Sequence, residues 1–372
     1  IGWAPTDREV GDIFASRAPD AMASMPYTEW YQNSLRFPDG PAARYHREHF
    51  GHRPYDSFAD DFQAGLAGWD PEAWADRFAR AGARYVVLVT KHHDGFCLWP
   101  TSVPNPNKAG WHTERDVVGE LADAVRARGL RFGVYYSGGL DWTFDDRPLG
   151  TTADVAASVP GSDAYADYAE AHVRELIERY RPSVLWNDIA WPFSGDRLWR
   201  LFAHYYDAVP DGVVNDRWLA RNALWEVLRF GPVRNLVNRS AAKGAADGGG
   251  MVPPTPPHYD VRTPEYTTFP DVQKRPWECV RGIDASFGFN RASDESAFLP
   301  RDELVEMVAD ITAKGGNLLL NVGPRGEDAT IPDAQLRRLD WLGEWLAVAG
   351  PAVYATRPWV RPEGTTAEGD AV

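Results

Sequence analysis

Six short apolar runs recur along the chain, and segments of helical periodicity separate most of them. They are Tyr85–Thr90, Arg131–Tyr136, Ser183–Asp188, Gly212–Asp216, Trp277–Arg281 and Asn317–Val322. Runs such as Y-V-V-L-V-T and N-L-L-L-N-V are too continuous for a half-exposed strand and predict strands buried on both faces. Between or beside them, helices are expected over Pro71–Ala81, Asp116–Arg128, Asp163–Tyr180, Asp196–Val209, Arg301–Lys314 and Asp333–Ala349. Asp70 before Pro71 is an N-cap signal, and Gly82 and Gly129 are stop signals. Strand–helix alternation of this kind predicts an α/β chain with a parallel sheet. At 372 residues, a (β/α)8-like TIM barrel is favoured over a doubly wound sheet. No G-x-G-x-x-G follows the first strand, which removes the usual dinucleotide-binding turn.

The sharpest single stretch is P-S-V-L-W-N-D-I-A-W-P, Pro182 to Pro192. A buried run ends in Asn187 and Asp188, with Trp186 and Trp191 expected to wall the carboxylate. At the C-terminal tip of a strand in an α/β sheet, that carboxylate is placed for chemistry. The alternative is that Asp188 caps the helix that follows.

Other polar groups fall at the remaining strand tips. Lys91-His92-His93-Asp94 follows the first strand, Tyr135-Tyr136-Ser137-Gly138-Gly139 closes the second, and Asn215-Asp216-Arg217-Trp218 closes the fourth. Glu29-Trp30-Tyr31 sets an acid beside aromatic rings upstream. Adjacent histidines at a strand end can both reach one pocket. Hydrogen bonding to a polar substrate is favoured there over a metal site built from His92, His93 and Asp94, because H-x-H and H-E-x-x-H spacings are absent. Arg217 beside carboxylates is suited to holding Asp188 ionised or to gripping ring hydroxyls. For a second acid the candidates are Glu265, expected in a loop able to swing over the pocket, and Glu278, expected inside a strand and paired there with an arginine. Two carboxyl groups in different environments are what glycoside hydrolysis requires.

Composition agrees with this class and excludes others. With 39 basic against 53 acidic residues the net charge is −14, which opposes a nucleic-acid backbone as partner. No apolar run reaches the roughly 18 residues that a membrane span needs. Sixteen tryptophans supply flat rings that can stack on sugar faces. Cys97 and Cys279 are isolated and read as buried free thiols. The start, I-G-W-A-P-T, lacks an initiator Met or a signal sequence, and the first forty residues look loop-like. The end trails off in E-G-T-T-A-E-G-D-A-V after a strand-like Trp359–Val360. Both ends look cut, so the compartment is open between cytoplasmic and secreted, and the oligomeric state is open too, a homo-oligomer included.

Six motifs in order, K-H-H-D-G-F-C-L-W, F-G-V-Y-Y-S-G-G-L-D-W, L-W-N-D, V-N-D-R-W, W-E-C-V-R-G-I-D-A-S-F-G-F-N-R and K-G-G-N-L-L-L-N-V-G-P, resemble the family 29 α-L-fucosidases. The resemblance runs from about Glu29 to Trp359 and carries no cofactor or metal. It implies a retaining glycosidase acting on a fucosylated oligosaccharide or glycoconjugate, with Asp188 as nucleophile and Glu265, in T-P-E-Y, as acid/base. Glu29, Trp30, His92, His93, Tyr135, Trp186 and Arg217 match fucose-pocket positions, with Tyr136 as the alternative to Tyr135. The family's first barrel strand carries an H-W-G motif, and this chain begins after it. The expected domains are therefore a barrel over 1–350 lacking its first strand, with an insertion over 219–257, and the start of a C-terminal β-sandwich over 351–372. Residues from Asn238 to Pro257 look like a mobile loop within that insertion. A fucose-binding protein of the same fold with impaired catalysis is the rival reading.

Overall fold

A computed structural model describes residues 2–8, 10–16, 18–221, 225, 232–233 and 250–364. The expected strands and helices appear close to their predicted bounds. β1 spans Tyr85–Lys91, β2 Arg131–Tyr136, β3 Val184–Asn187, β4 Val213–Val214, β5 Glu278–Gly282 and β6 Asn317–Asn321. Helix α1 spans Pro71–Arg80, α2 Val117–Ala127, α3 Asp163–Tyr180, α4 Asp196–Ala208, α5 Arg301–Ala313 and α6 Asp333–Val353. The side chain of Asp70 does cap α1, accepting from the Ala73 amide. Asp116 caps α2 and Ser162 caps α3 in the same way.

β1 to β4 form a parallel sheet in chain order, and β5 pairs with β6, also parallel. Residues 261–265 join the two sheets. Val261 bridges Asn215, Arg262 bridges Trp277 and Glu265 bridges Val280, all parallel. The backbone bonds from Val261 to Val214 (3.3 Å), Glu278 to Arg262 (2.8 Å) and Val280 to Pro264 (2.9 Å) seal the join. This overturns the expectation of a free loop at Glu265. Pro264 has no N–H to give, but its carbonyl still accepts from β5, so proline does not prevent pairing here.

Alternation along the strands sorts two cores. Phe132, Val134 and Tyr136 of β2, Leu185 of β3 and Val214 of β4 pack outward against Leu121, Val125, Val173, Leu176, Ile177, Leu201 and Phe202 of the helices. Truncating one of these, such as Leu176→Ala, costs about 2–5 kcal/mol in lost burial and cavity. On the other face, Tyr85 and Val87 of β1 join Tyr135, Val184, Trp186, Val213, Val280 and Leu319, one or two residues from each strand, in a single cluster. The Tyr85 hydroxyl reaches Glu278 on β5 at 2.6 Å, so the sheet curls until its first strand faces its fifth.

Several expectations need correction. Val86 to Val89 and Leu318 to Leu320 are only partly buried, so β1 and β6 are not covered on both faces. The first forty residues contain short helices at Val10–Ala15 and Tyr31–Ser34 besides loops. Helix α6 runs through Pro351 to Val353, past the expected boundary at 350. Trp359 and Val360 lie in no strand and are 81% and 82% exposed. Most of the Asn238–Pro257 segment lies outside the described residues. Its end does not: Met251 pairs with Glu265 through two backbone bonds of 2.7 and 2.9 Å. No helix among the described residues is long and apolar enough to cross a membrane.

Candidate active site

The tip of β3 is laced to its neighbours by amide side chains. Asn187 Nδ2 donates to the carbonyls of Ala190 (2.9 Å) and Arg217 (2.8 Å), and its Oδ1 accepts from the Gly138 amide at 3.1 Å. Asn215, just after β4, answers by accepting from the Asn187 amide and donating to its carbonyl. Gly138 has to be glycine, because a Cβ would lie 2.2 Å from Asn187 Oδ1. The chain then turns sharply after Asp188. Ile189 takes φ 66°, a rare and strained value for a β-branched residue. Strain of this kind persists where surrounding bonds over-determine it, often at functional sites. Asp188 is not a helix cap, since α4 starts at Asp196 behind Gly195.

Asp188 is 8% exposed. Its Oδ2 accepts from the Tyr135 hydroxyl at 2.7 Å, and its Oδ1 accepts from Arg217 at 3.0 Å and from the Ile189 amide at 2.8 Å. The other arm of Arg217 reaches Glu265 Oε2 at 2.9 Å. One guanidinium thus spans both carboxylates, lying 4.6 Å over the Trp186 ring with Nε on Thr263. Burial opposes the Arg217 charge, but Glu265 and Asp188 on either side hold its pKa above the ordinary value. Glu265 Oε1 accepts from the Tyr27 hydroxyl at 3.1 Å.

Aromatic rings wall this pair. Tyr135 stacks on Trp186 on one side (5.3 Å, 22°) and on His92 on the other (5.7 Å, 10°). His93 lies against His92, with the edges of Trp30 and Trp142 beyond it. Burial lowers His92 to about 4, although the nearby Asp188 pulls the other way. Burial, with His92 and Lys91 adding, holds His93 well below 6.5, so both rings are neutral at pH 7. Glu29 lies within electrostatic reach of Glu265 and accepts from the Gly288 amide at 3.1 Å. Behind the histidines, Lys91 and Asp141 form a 2.8 Å ion pair with no exposure at all, tying the β1 tip to the loop after β2.

All nine residues singled out in the sequence therefore gather at one end of the strands. Tyr136 points the other way, into the outer core, where it bonds His172. Trp191 does too, packing on Trp218, so it does not wall Asp188. Asp94 is turned to the Tyr55 hydroxyl and the Phe96 amide, away from His92 and His93. Glu278 does sit inside a strand, but its partners are Tyr85 and the Trp186 indole (2.9 Å), not an arginine. Sequence reasoning missed Tyr27, Thr263 and the Ser286–Gly288 turn. Tyr27, two residues before Glu29 in Y-T-E-W, carried a signal, an aromatic hydroxyl next to an acid, and Ser286–Gly288 lies inside the W-E-C-V-R-G-I-D-A-S-F-G-F-N-R motif; Thr263 carried none.

Two carboxylates joined by one guanidinium in an aromatic cleft can support displacement at a sugar carbon. The alpha-L-fucosidase family model matches residues 13–351. The chain is 33% identical to the tissue alpha-L-fucosidase of Rattus norvegicus over 82% of its own length, and 34% identical to the alpha-L-fucosidase of Branchiostoma floridae over 84%. Among solved structures it is similar to a Thermotoga maritima alpha-L-fucosynthase in complex with alpha-L-Fuc-(1-2)-beta-L-Fuc-N3, at 42% identity and TM-score 0.82, covering 100% of this chain and 74% of that one. A Thermotoga maritima alpha-fucosidase matches at 43% identity and TM-score 0.79, over 96% of this chain and 76% of that one. The chain belongs to the alpha-L-fucosidase family. It spans 59% and 63% of the rat and Branchiostoma proteins.

Proposed function

We propose that this chain is the catalytic part of a retaining α-L-fucosidase that removes terminal fucose from oligosaccharides or glycoconjugates. The observation that carries the reading is the Arg217 guanidinium, which reaches Asp188 with one arm and Glu265 with the other. Asp188, oriented by Tyr135, Arg217 and the Ile189 amide, attacks the anomeric carbon. The bond to the leaving oxygen breaks as Glu265 gives that oxygen its proton. A water then attacks the fucosyl–Asp188 ester, Glu265 takes the water's proton, and fucose leaves with its configuration retained. The ion pair with Arg217 suits the carboxylate that Glu265 becomes between the two steps. Glu29, Trp30, His92, His93 and Trp186 line the pocket and bind the sugar's hydroxyls and faces.

The fold proposed for this chemistry is a (β/α)8-like barrel, one strand short among the described residues, with residues 261–265 serving as a strand between β4 and β5. The single cluster drawn from all six strands supports closure. So does the Tyr85–Glu278 bond across it. The proposed barrel covers 1–350 together with the last turn of α6, Pro351 to Val353, and the proposed second domain begins after that helix. The end of the 219–257 insertion at Met251 borders the leaving-group side, since Met251 pairs with Glu265 and is itself 37% exposed. The test is release of the aryl group from an aryl α-L-fucoside. Asp188→Ala should abolish it, and azide should restore turnover to Glu265→Ala on a substrate with a good leaving group. Substantial hydrolysis by Asp188→Ala contradicts the reading.

A further inference from the structure

Ser137 lies at the β2 tip, fully buried, between two groups that both claim its hydroxyl. Its Oγ is 2.7 Å from the Leu140 carbonyl and 2.7 Å from His93 Nδ1. A serine has one hydrogen to give. The Leu140 carbonyl can only accept, is buried, and receives no other donor among the described residues. Buried carbonyls are rarely left unpaired, so the hydrogen goes to Leu140. Oγ then faces His93 with a lone pair, and Nδ1 has to carry the ring's proton.

A neutral imidazole carries one N–H, so Nε2 is left bare. Nε2 has no hydrogen-bond partner among the described residues, and the ring that holds it packs on His92 and Trp30 in the candidate pocket. The ring is held in place as well: its own carbonyl accepts from the Trp142 amide at 2.7 Å, and the Lys91–Asp141 pair pins the segments on either side. We propose that Ser137 is a positioning residue that fixes His93 as its Nδ1–H tautomer, so that Nε2 selects a sugar hydroxyl able to donate a hydrogen. The inference rests on the fucosidase reading for the identity of the sugar, but not for the state of the ring. It makes the pocket discriminate at one ring position: a hydroxyl that donates to Nε2 binds there more tightly than fluorine, which has no hydrogen to donate.

The ring state is read directly by long-range proton–nitrogen correlation NMR on protein labelled with 15N-histidine, with His93 assigned by the loss of its signals in His93→Gln. The expected wild-type spectrum shows Nδ1 protonated and Nε2 bare. In Ser137→Ala the N–H loses its acceptor, the ring shifts toward Nε2–H, and KM for an aryl α-L-fucoside rises roughly tenfold, the scale of one misdirected hydrogen bond, with kcat changed far less. Ser137→Thr keeps the hydroxyl and should restore both the spectrum and KM. A wild-type ring protonated at Nε2 overturns the proposal, and that result does not require any variant to fold. An unchanged tautomer and KM in Ser137→Ala also overturn it. An Nδ1–H ring in a protein that hydrolyses no fucoside upholds the role of Ser137 and removes the fucosidase reading instead.

Discussion

Arg217 and Glu265 form a 2.9 Å ion pair with only 5% and 12% of their side chains exposed. Buried so deeply, the pair is held by geometry more than by net energy, and removing one partner strands the other. Here Arg217 is also the partner of Asp188, so its loss leaves two carboxylates facing each other without a cation.

Arg217→Ala should therefore lower stability by about 3–5 kcal/mol, read from denaturant or thermal unfolding, and abolish most fucoside hydrolysis. Arg217→Lys restores a charge but not the planar fork that reaches two acids at once. It should recover much of the stability and little of kcat. Equal recovery of both would mean that charge alone is needed.

Glu278 tests the choice of acid. It is buried on β5 and accepts from the Tyr85 hydroxyl and the Trp186 indole. Glu278→Ala leaves both donors unpaired, a penalty of about 1–3 kcal/mol each at most, and loosens the ring under Arg217. Activity should fall without rescue by azide. Azide rescue of Glu278→Ala, and none for Glu265→Ala, would reverse the two assignments.

Glu29 gives a pH signature. Burial pushes its carboxyl from 4.5 up to about 7; the Gly288 amide opposes this, and Glu265 and Asp284 add to the rise. Because the folded value lies above the unfolded one, the stability linked to Glu29 is complete below about 4.5 and is lost as pH rises through about 7. Unfolding midpoints measured across that window should fall less steeply in Glu29→Gln than in the wild type. Identical slopes would place the titration elsewhere.

The parts legible in the sequence are those where one local pattern decides the structure. Val184 to Trp186 is apolar on both faces because it is covered on both, and the polar pair after it can only be a strand tip. The same logic located Tyr135, His92 and Arg217. What failed was structure set by distant partners. Arg262, Thr263 and Glu265 show no apolar alternation, since isolated backbone bridges tie this segment to β4 and β5 and the side chains serve Asp216 and Arg217. Tyr27 meets Glu265 across 238 residues of chain, a contact that no spacing rule reaches. The choice between Tyr135 and Tyr136 depended on which face of β2 turns inward, and adjacent tyrosines do not reveal that.

If Asp188 becomes covalently bound to the sugar, the bond can be trapped. Treating the protein with a 2-deoxy-2-fluoro fucosyl donor bearing a good leaving group should slow the second step and leave a fluorofucosyl ester, found by mass spectrometry of a proteolytic digest on the peptide that contains Asp188. An adduct on another residue, or turnover of the donor with inversion at the anomeric carbon and no adduct, would contradict the account.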